Sequence, residues 1–250
     1  MMLNYPQLLK YFTALVILIF VPLTGYTQII NESGFLEIEA RDVTGTFGSA
    51  VAADGDVAVI GAPLAFVSGV AYGRAYVYTR NNEGWTETAV LLSGNYPQSG
   101  GGFGTSVGID GNTIVVGANR GPGTGSVLVF TNNGGDWTKQ AELVPEGAPD
   151  FSAFGSSVAI DGDTVVAGAE NESGIGAAYV FTRTGTTWTE QVKLEPPNGV
   201  RGAFFGASIA VSGDTVMVSS TGAPTNSNVL VGNDVPGSVY VFTRKGSSWT

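Results

Sequence analysis

Over most of the chain, apolar and polar positions alternate in short runs that stop at Gly, Asp and Asn, which is the pattern of half-buried β-strands. The clearest stretch runs from Ser156 to Leu194. Ser156 to Ile160 alternates into Asp161-Gly162, and Thr164 to Ala169 follows as an almost wholly apolar run of small residues. An Asp-Gly pair between two such runs predicts a hairpin closed by a type I′ turn, whose two central residues need positive φ. After a loop through Gly174 and Gly176, Ala177 to Arg183 predicts a third strand, Thr184-Gly185-Thr186 a turn, and Thr187 to Leu194 a fourth strand.

This four-strand pattern recurs. Phe47-Gly48, Phe103-Gly104, Phe154-Gly155 and Phe205-Gly206 are spaced by 56, 51 and 51 residues, and Trp85, Trp137, Trp188 and Trp249 interleave with them, each followed by Thr. A period near 51 residues marks a repeated supersecondary unit. With no helical period in the repeats, the fold class is all-β. The first two strands carry Gly, Ala, Ser and Val, whereas the last two carry residues such as Tyr179, Phe181 and Trp188. A unit small on one side and bulky on the other suits a wedge, so the prediction is a β-propeller of four-stranded antiparallel blades. Solenoid coils repeat at shorter periods of about 20–30 residues, and a sandwich has no need to repeat.

Phe47-Gly48 followed by Val59-Ile60-Gly61-Ala62-Pro63 resembles the FG-GAP repeat of integrin α-chain propellers and of secreted bacterial proteins. Phe103-Gly104 with Gly117-Ala118-Asn119, and Phe154-Gly155 with Gly168-Ala169-Glu170, are similar without the Pro. The fourth unit departs further, with Ser219-Ser220 in place of Gly-Ala and Gly222-Ala223-Pro224 displaced by three residues. The resemblance covers residues 35–250, with blades near 43–95, 99–146, 150–197 and 201–250. It implies a ring that closes with seven blades, of which about four are visible. The fourth unit stops at Trp249-Thr250, where the second and third continue to Leu143 and Leu194, and Phe35 to Ala40 reads as an outer strand without a blade. The expectation is a chain truncated at its C-terminus, with a closed four-blade ring as the alternative.

Residues 1–27 do not share the repeat. Lys10 is followed by an apolar run from Tyr11 to Leu23, interrupted by Thr13 and Pro22, and then by Thr24-Gly25-Tyr26-Thr27. The run is shorter than the ~20 residues a bilayer span needs. Small residues at Gly25 and Thr27 suit cleavage of a secretory signal after Thr27, a retained anchor or core helix being the alternative. The expected location is outside the cell or on its surface, with no membrane span after cleavage.

Composition narrows the chemistry. The chain has no His and no Cys, which removes imidazole bases, thiolate nucleophiles, disulfides and the usual zinc ligands. A net charge of −10 opposes binding to nucleic acid, which needs a basic surface. Glu142, Glu146 and Asp150 offer carboxylates, but nothing in the spacing pairs them as a glycosidase requires. Asp54-Gly55-Asp56, Asp110-Gly111-Asn112, Asp161-Gly162-Asp163 and Ser212-Gly213-Asp214 recur at one point of the repeat. Calcium needs about 6–8 oxygens around it, more than a two-residue turn supplies, so these are read as hairpins and not as metal sites. Gly121 to Gly125 lacks the Lys-Ser/Thr ending of a phosphate loop. Asn31-Glu32-Ser33 and Asn171-Glu172-Ser173 match the glycosylation pattern, a short and common one. Neither catalytic residues nor a cofactor is implied.

Loop length says more. Phe-Gly to Trp takes 34 residues in the second and third units, but 38 in the first and 44 in the fourth, the excess falling in Pro63 to Gly73 and Thr221 to Gly237. In propellers of the resembled family these loops lie on the ligand-binding face with the loops that enter each Phe-Gly, and insertions on one face of a repeat protein mark binding. Phe66, Tyr72, Arg74, Arg120, Asn226, Asn228, Asn233 and Asp234 are the candidate ligand-binding residues. The function expected is a non-enzymatic binding or adhesion module for an extracellular protein or glycan. The alternative is an accessory propeller of a larger secreted carbohydrate- or lipid-degrading enzyme. N-terminal sequencing of exported protein should begin at or near Gln28; recovery of Lys10 in the exported chain would contradict the signal.

Overall fold

A computed structural model describes residues 46–67, 70–94, 101–119, 123–197, 203–222, 237–246 and 248–250. The apolar segment 1–27, the run Phe35 to Ala40 and Asn31-Glu32-Ser33 lie outside the described residues. The strands are β1 Ala50–Asp54, β2 Val57–Ala62, β3 Phe66–Val67, β4 Val70–Ala71, β5 Arg74–Asn81, β6 Gly84–Leu91, β7 Phe103–Asp110, β8 Thr113–Ala118, β9 Ser126–Asn132 and β10 Trp137–Leu143. They continue as β11 Phe154–Asp161, β12 Thr164–Ala169, β13 Ala177–Thr184, β14 Thr187–Leu194, β15 Phe205–Ser212, β16 Thr215–Ser220, β17 Ser238–Lys245 and β18 Ser248–Trp249. Four antiparallel four-stranded sheets result, in the orders β1-β2-β5-β6, β7-β8-β9-β10, β11-β12-β13-β14 and β15-β16-β17-β18. The chain is all-β and built of propeller blades, as the strand pattern predicts. Two details of the strand inventory differ from the sequence reading. The loop Pro63 to Gly73 contains a two-stranded ribbon, β3 with β4, and the fourth blade has the start of an outer strand, with Arg244 opposite Trp249.

First strands of successive blades pack on one another, whereas outer strands barely meet, so the blades splay as wedges. The cores lie between blades. Val59, Ala75 and Val77 meet Phe103, Ile114, Val116, Leu128 and Phe130; Val115, Val127 and Val129 meet Phe154, Val165, Ala167, Tyr179 and Phe181; Val166, Ala178 and Val180 meet Phe205, Val216 and Val218. Burying each Val, Leu, Ile or Phe among them contributes about 1.5–3 kcal/mol.

The Phe-Gly pair is a turn with two tasks. In each blade the residue before Phe accepts a hydrogen bond from the amide after Gly, as in Thr105 N–H to Gly102 O at 2.9 Å and Ser156 N–H to Ala153 O at 3.0 Å. Gly therefore stands third in a four-residue turn with φ between +86° and +93° at Gly48, Gly104, Gly155 and Gly206, the position where a type II turn demands positive φ. Phe stands second and enters the core edge-on to the aromatics of its own third strand: Phe154 lies 5.7 Å from Tyr179, and Phe205 lies 5.4 Å from Tyr240. These aromatics are packing groups, which agrees with the reading of Tyr76-Val77-Tyr78.

The glycine of the Gly-Ala pair meets that turn from the preceding blade. A Cβ on Gly61, Gly117 or Gly168 would fall inside van der Waals contact of the carbonyl oxygen of Gly104, Gly155 or Gly206. Ser106 and Ser157 donate to the same carbonyls of Gly155 and Gly206, at 2.8 and 2.6 Å.

The Asp-Gly hairpins close differently from the prediction. Asp54 pairs with Val57, Asp110 with Thr113, Asp161 with Thr164 and Ser212 with Thr215, so the two central residues are Gly-Asp or Gly-Asn. Only the Gly has positive φ, from +54° to +56°, which is the type II′ and not the type I′ arrangement. Placing the first Asp outside the turn frees its carboxylate to reach the next blade. Gly111 N–H donates to Asp54 Oδ2 and Gly162 N–H to Asp110 Oδ2, both at 2.7 Å, and Gly213 N–H donates to Asp161 Oδ2.

Replacing Gly117 by Ala should destabilise the protein by at least ~2 kcal/mol, because the clash is with backbone that cannot yield alone. Ser219, the matching residue of the last blade, should accept Gly at a cost of about 1 kcal/mol, the bond from Ser208 N–H to its Oγ at 2.9 Å. Urea unfolding of the two variants measures the contrast.

Candidate functional site

Antiparallel pairing puts the short hairpins at one end of every blade. The loops between second and third strands, and the linkers that enter each Phe-Gly turn, share the other end. On this loop face each linker is tied to the loop of the preceding blade. Phe103 N–H donates to Tyr72 O at 3.1 Å, Phe154 N–H to Thr124 O at 2.9 Å, and Phe205 N–H to Ile175 O at 2.9 Å. Ser152 adds a hydroxyl bond to Thr124 O at 3.0 Å, and Asn171 N–H one to Ser152 O at 3.1 Å.

Backbone strain gathers on the same face. Among the described residues, the non-glycine positions with positive φ are Thr46, Phe151, Ala153, Ser173 and Phe204, all in linkers or loops of this end. Such conformations cost about 1–3 kcal/mol each and persist where the surroundings hold them. Phe151 is 68% exposed and Phe204 37%, and Phe66 at the base of the β3–β4 ribbon is 43% exposed. The other seven described phenylalanines are buried or half-buried.

Of the residues singled out from sequence, Phe66, Tyr72 and Arg74 come together in the first blade. Arg74 Nη2 donates to Phe66 O at 2.8 Å and pins the ribbon, while Tyr72 supplies the carbonyl that receives Phe103. Arg120, Asn226, Asn228, Asn233 and Asp234 lie outside the described residues. Sequence reasoning missed Phe151 and Phe204. Their signal is a lone aromatic in a linker where the second unit has only glycine: Asp150-Phe151-Ser152 and Ala203-Phe204 against Gly100-Gly101-Gly102.

It also missed a buried polar cluster in the third blade. A 3₁₀ turn, Glu172–Gly174, tucks Glu172 under the loop, where its side chain is 4% exposed. Glu172 Oε2 accepts from Tyr179 Oη at 2.7 Å, and Oε1 pairs with Lys193 Nζ at 2.7 Å, which also reaches Glu195 at 2.6 Å. A cleft of about 130 Å³ opens beside this group. Burial, and then the bond to Glu172, pushes the Tyr179 hydroxyl far above the usual phenol range. Burial pulls Lys193 down, but its bonds and charge attraction to Glu172 and Glu195 outweigh that and hold it above its ordinary value. Within the glycosylation pattern at Asn171, Asn171 is exposed while Glu172 serves as this anchor.

The hairpin face carries repeated arginine contacts and a cleft of about 560 Å³ lined by Asp163, Arg183, Arg244 and Trp249. Arg80, Arg183 and Arg244 pair with Asp56, Asp163 and Asp214 at 2.7 Å and stack over Trp85, Trp188 and Trp249, 5.6, 5.0 and 5.4 Å from the ring centres. In the second blade Asn112 and Asn132 replace both charged partners, and Asn132 N–H still donates to Asn112 O at 2.9 Å. Among the described residues no group of three or more acidic side chains is placed to hold a metal ion.

The sequence profile of the FG-GAP repeat family matches residues 85–130, 137–181 and 188–242, more than half of the chain. Each match begins at or beside the Trp of one outer strand and runs to the third strand of the next blade, so the unit it describes spans a blade junction. No curated protein matches the chain.

The raised Lys193 makes a pH-dependent contribution to stability. Since the folded value lies above the unfolded one, the contribution is fully present below about pH 10.4 and is lost as pH rises through the folded value. Thermal unfolding followed on the alkaline side should show wild type losing stability faster than Lys193→Met, with the two curves converging at high pH.

Proposed function

The chain belongs to the FG-GAP repeat family, and on that premise we propose that it is an exported, non-enzymatic β-propeller whose loop face binds an extracellular protein or glycan. One observation carries the reading: Phe66, Phe151 and Phe204 are shown to solvent on that single face, two of them on residues with positive φ. Exposing an aromatic on strained backbone costs free energy in the isolated protein, and a partner that covers the ring recovers it. The ties between linkers and loops hold the face in shape before binding, which lowers the ordering cost of association. Export rests on the short apolar segment before Gln28, and the acidic balance opposes nucleic acid. The function is binding, since the described carboxylates serve as anchors, ladder rungs and ion-pair partners more readily than as an acid–base pair.

The test uses Phe151→Gly combined with Phe204→Gly. Glycine relieves the positive φ, so stability should stay within ~1 kcal/mol of wild type. Retention on an array of immobilised extracellular proteins and polysaccharides should nonetheless fall by at least about tenfold for whatever the wild type binds. Equal retention by the variant would place binding elsewhere.

A further inference from the structure

We propose that Asn133 is a site of spontaneous covalent modification, converting to isoaspartate and aspartate by ring closure onto the amide of Gly134. The stretch Asn132-Asn133-Gly134-Gly135-Asp136 joins the third and fourth strands of the second blade. Asn132 pairs with Trp137 across it, which leaves residues 133–136 as a loop. The matching turns of the first and third blades are shorter, since Asn81 pairs with Gly84 and Thr184 with Thr187. A two-residue hairpin fixes the backbone of both central residues. The longer loop of the second blade instead carries Gly134 and Gly135 at φ +106° and +133°, the residue type with the most backbone freedom.

The reaction draws only on water and hydroxide. Gly134 N gives its proton to hydroxide and attacks Asn133 Cγ, an intramolecular attack that closes a five-membered ring. The Cγ–Nδ2 bond breaks, and the nitrogen takes a proton from water and leaves as ammonia. Water then opens the cyclic imide at one of its two carbonyls. Opening at the side-chain carbonyl gives aspartate. Opening at the main-chain carbonyl gives isoaspartate, whose main chain runs through the former side chain and is longer by a methylene. Either product exchanges a neutral amide for a carboxylate and makes a chain of net charge −10 more acidic by one unit.

The surroundings select Asn133 among the described asparagines. It is exposed, and the contact of its Nδ2 with Thr131 Oγ1, at 3.5 Å, is too long to hold the side chain. A Cβ built on Gly134 meets nothing within 4 Å, so the attacking amide stands in open space. Gly134 N–H donates to Asn132 Oδ1 at 3.1 Å, and Gly135 N–H donates to the same oxygen at 2.8 Å. Freeing the Gly134 amide gives up the longer bond and leaves that oxygen its other donor. Elsewhere the following amide belongs to a residue whose side chain crowds the ring closure. Asn82 precedes Glu83, whose N–H is also held by Asn81 Oδ1 at 2.8 Å. Asn112 precedes the buried, β-branched Thr113, and Asn171 precedes the buried Glu172. The chain's other Asn-Gly pair, Asn198-Gly199, lies outside the described residues.

Incubating the full chain in its native state at mildly alkaline pH, beside a urea-unfolded sample, tests this. Peptide mass spectrometry should find a gain of one mass unit, with isoaspartate, at residue 133. The native rate should lie within about tenfold of the unfolded chain's. It should also run ahead of any change at Asn82, Asn112, Asn132 or Asn171, and rise in proportion to hydroxide. Asn133→Gln, which would have to close a six-membered ring, should show no gain at this position. Gly134→Val should slow the reaction by at least about tenfold. Both substitutions fall on exposed residues, and melting temperatures close to wild type show that the variants are folded. A native rate more than about tenfold below the unfolded one would overturn the inference. So would a rate independent of pH, earlier modification at any of the other four asparagines, or a smaller effect of Gly134→Val.

Discussion

Two backbones lie against each other at every blade junction with no side chain between them. The Gly-Ala glycine of one blade touches the carbonyl of the Phe-Gly glycine of the next, and much else follows from that closeness. It brings Ser106 and Ser157 within hydrogen-bond reach of the same carbonyls, seats the Phe rings in the cores, and aligns linkers with the loops of the preceding blade. Steric exclusion sets the geometry here, and the hydrophobic effect then fills the space it defines. The small residues of the inner strands are therefore a requirement of approach as much as of taper.

The far end of each junction is held by charge meeting the backbone. A carboxylate that accepts from a main-chain amide makes a charge-assisted bond, stronger than a neutral pair, at a place where the turn would otherwise leave the amide to water. The arginine pairs below it are partly solvated, so their Coulomb contribution is small. Their use is positional: the guanidinium fixes the Trp ring beneath it and reaches back across the junction, as Arg183 Nη1 does to Thr113 Oγ1 at 3.1 Å.

How much of this was readable from sequence depends on whether the cause is written in side chains. The third blade's strands Thr164–Ala169 and Thr187–Leu194 appear in the alternation with the bounds the structure gives them. The blade architecture follows from the spacing of Phe-Gly and Trp. The turn type does not, because Asp-Gly suits type I′ only when Asp is central, and a turn placed one residue later leaves Asp outside it. The ladder across hairpins was hidden because its donors are amides, which have no letter of their own. The β3–β4 ribbon is too short to show a period. Phe151 and Phe204 were legible as stray aromatics, yet their exposure depends on a positive φ that Phe does not announce. Glu172 reads as a surface acid until Tyr179 and Lys193 are brought to it from two other strands.

The division of labour between backbone and side chain bears on how such a chain can change. Across junctions the contacts set backbone carbonyls and amides against glycine, serine and aspartate that recur at the same positions of successive blades. The pairs that vary together, Asp with Arg in three blades and Asn112 with Asn132 in the second, lie inside single blades. A duplicated or exchanged segment that carries a whole blade thus brings its own matched partners and meets its neighbours through generic joints. Recombination at the linkers keeps both kinds of contact, whereas a crossover within a hairpin separates an arginine from its aspartate. The blade is the unit that can be copied, lost or replaced without rewriting its surroundings.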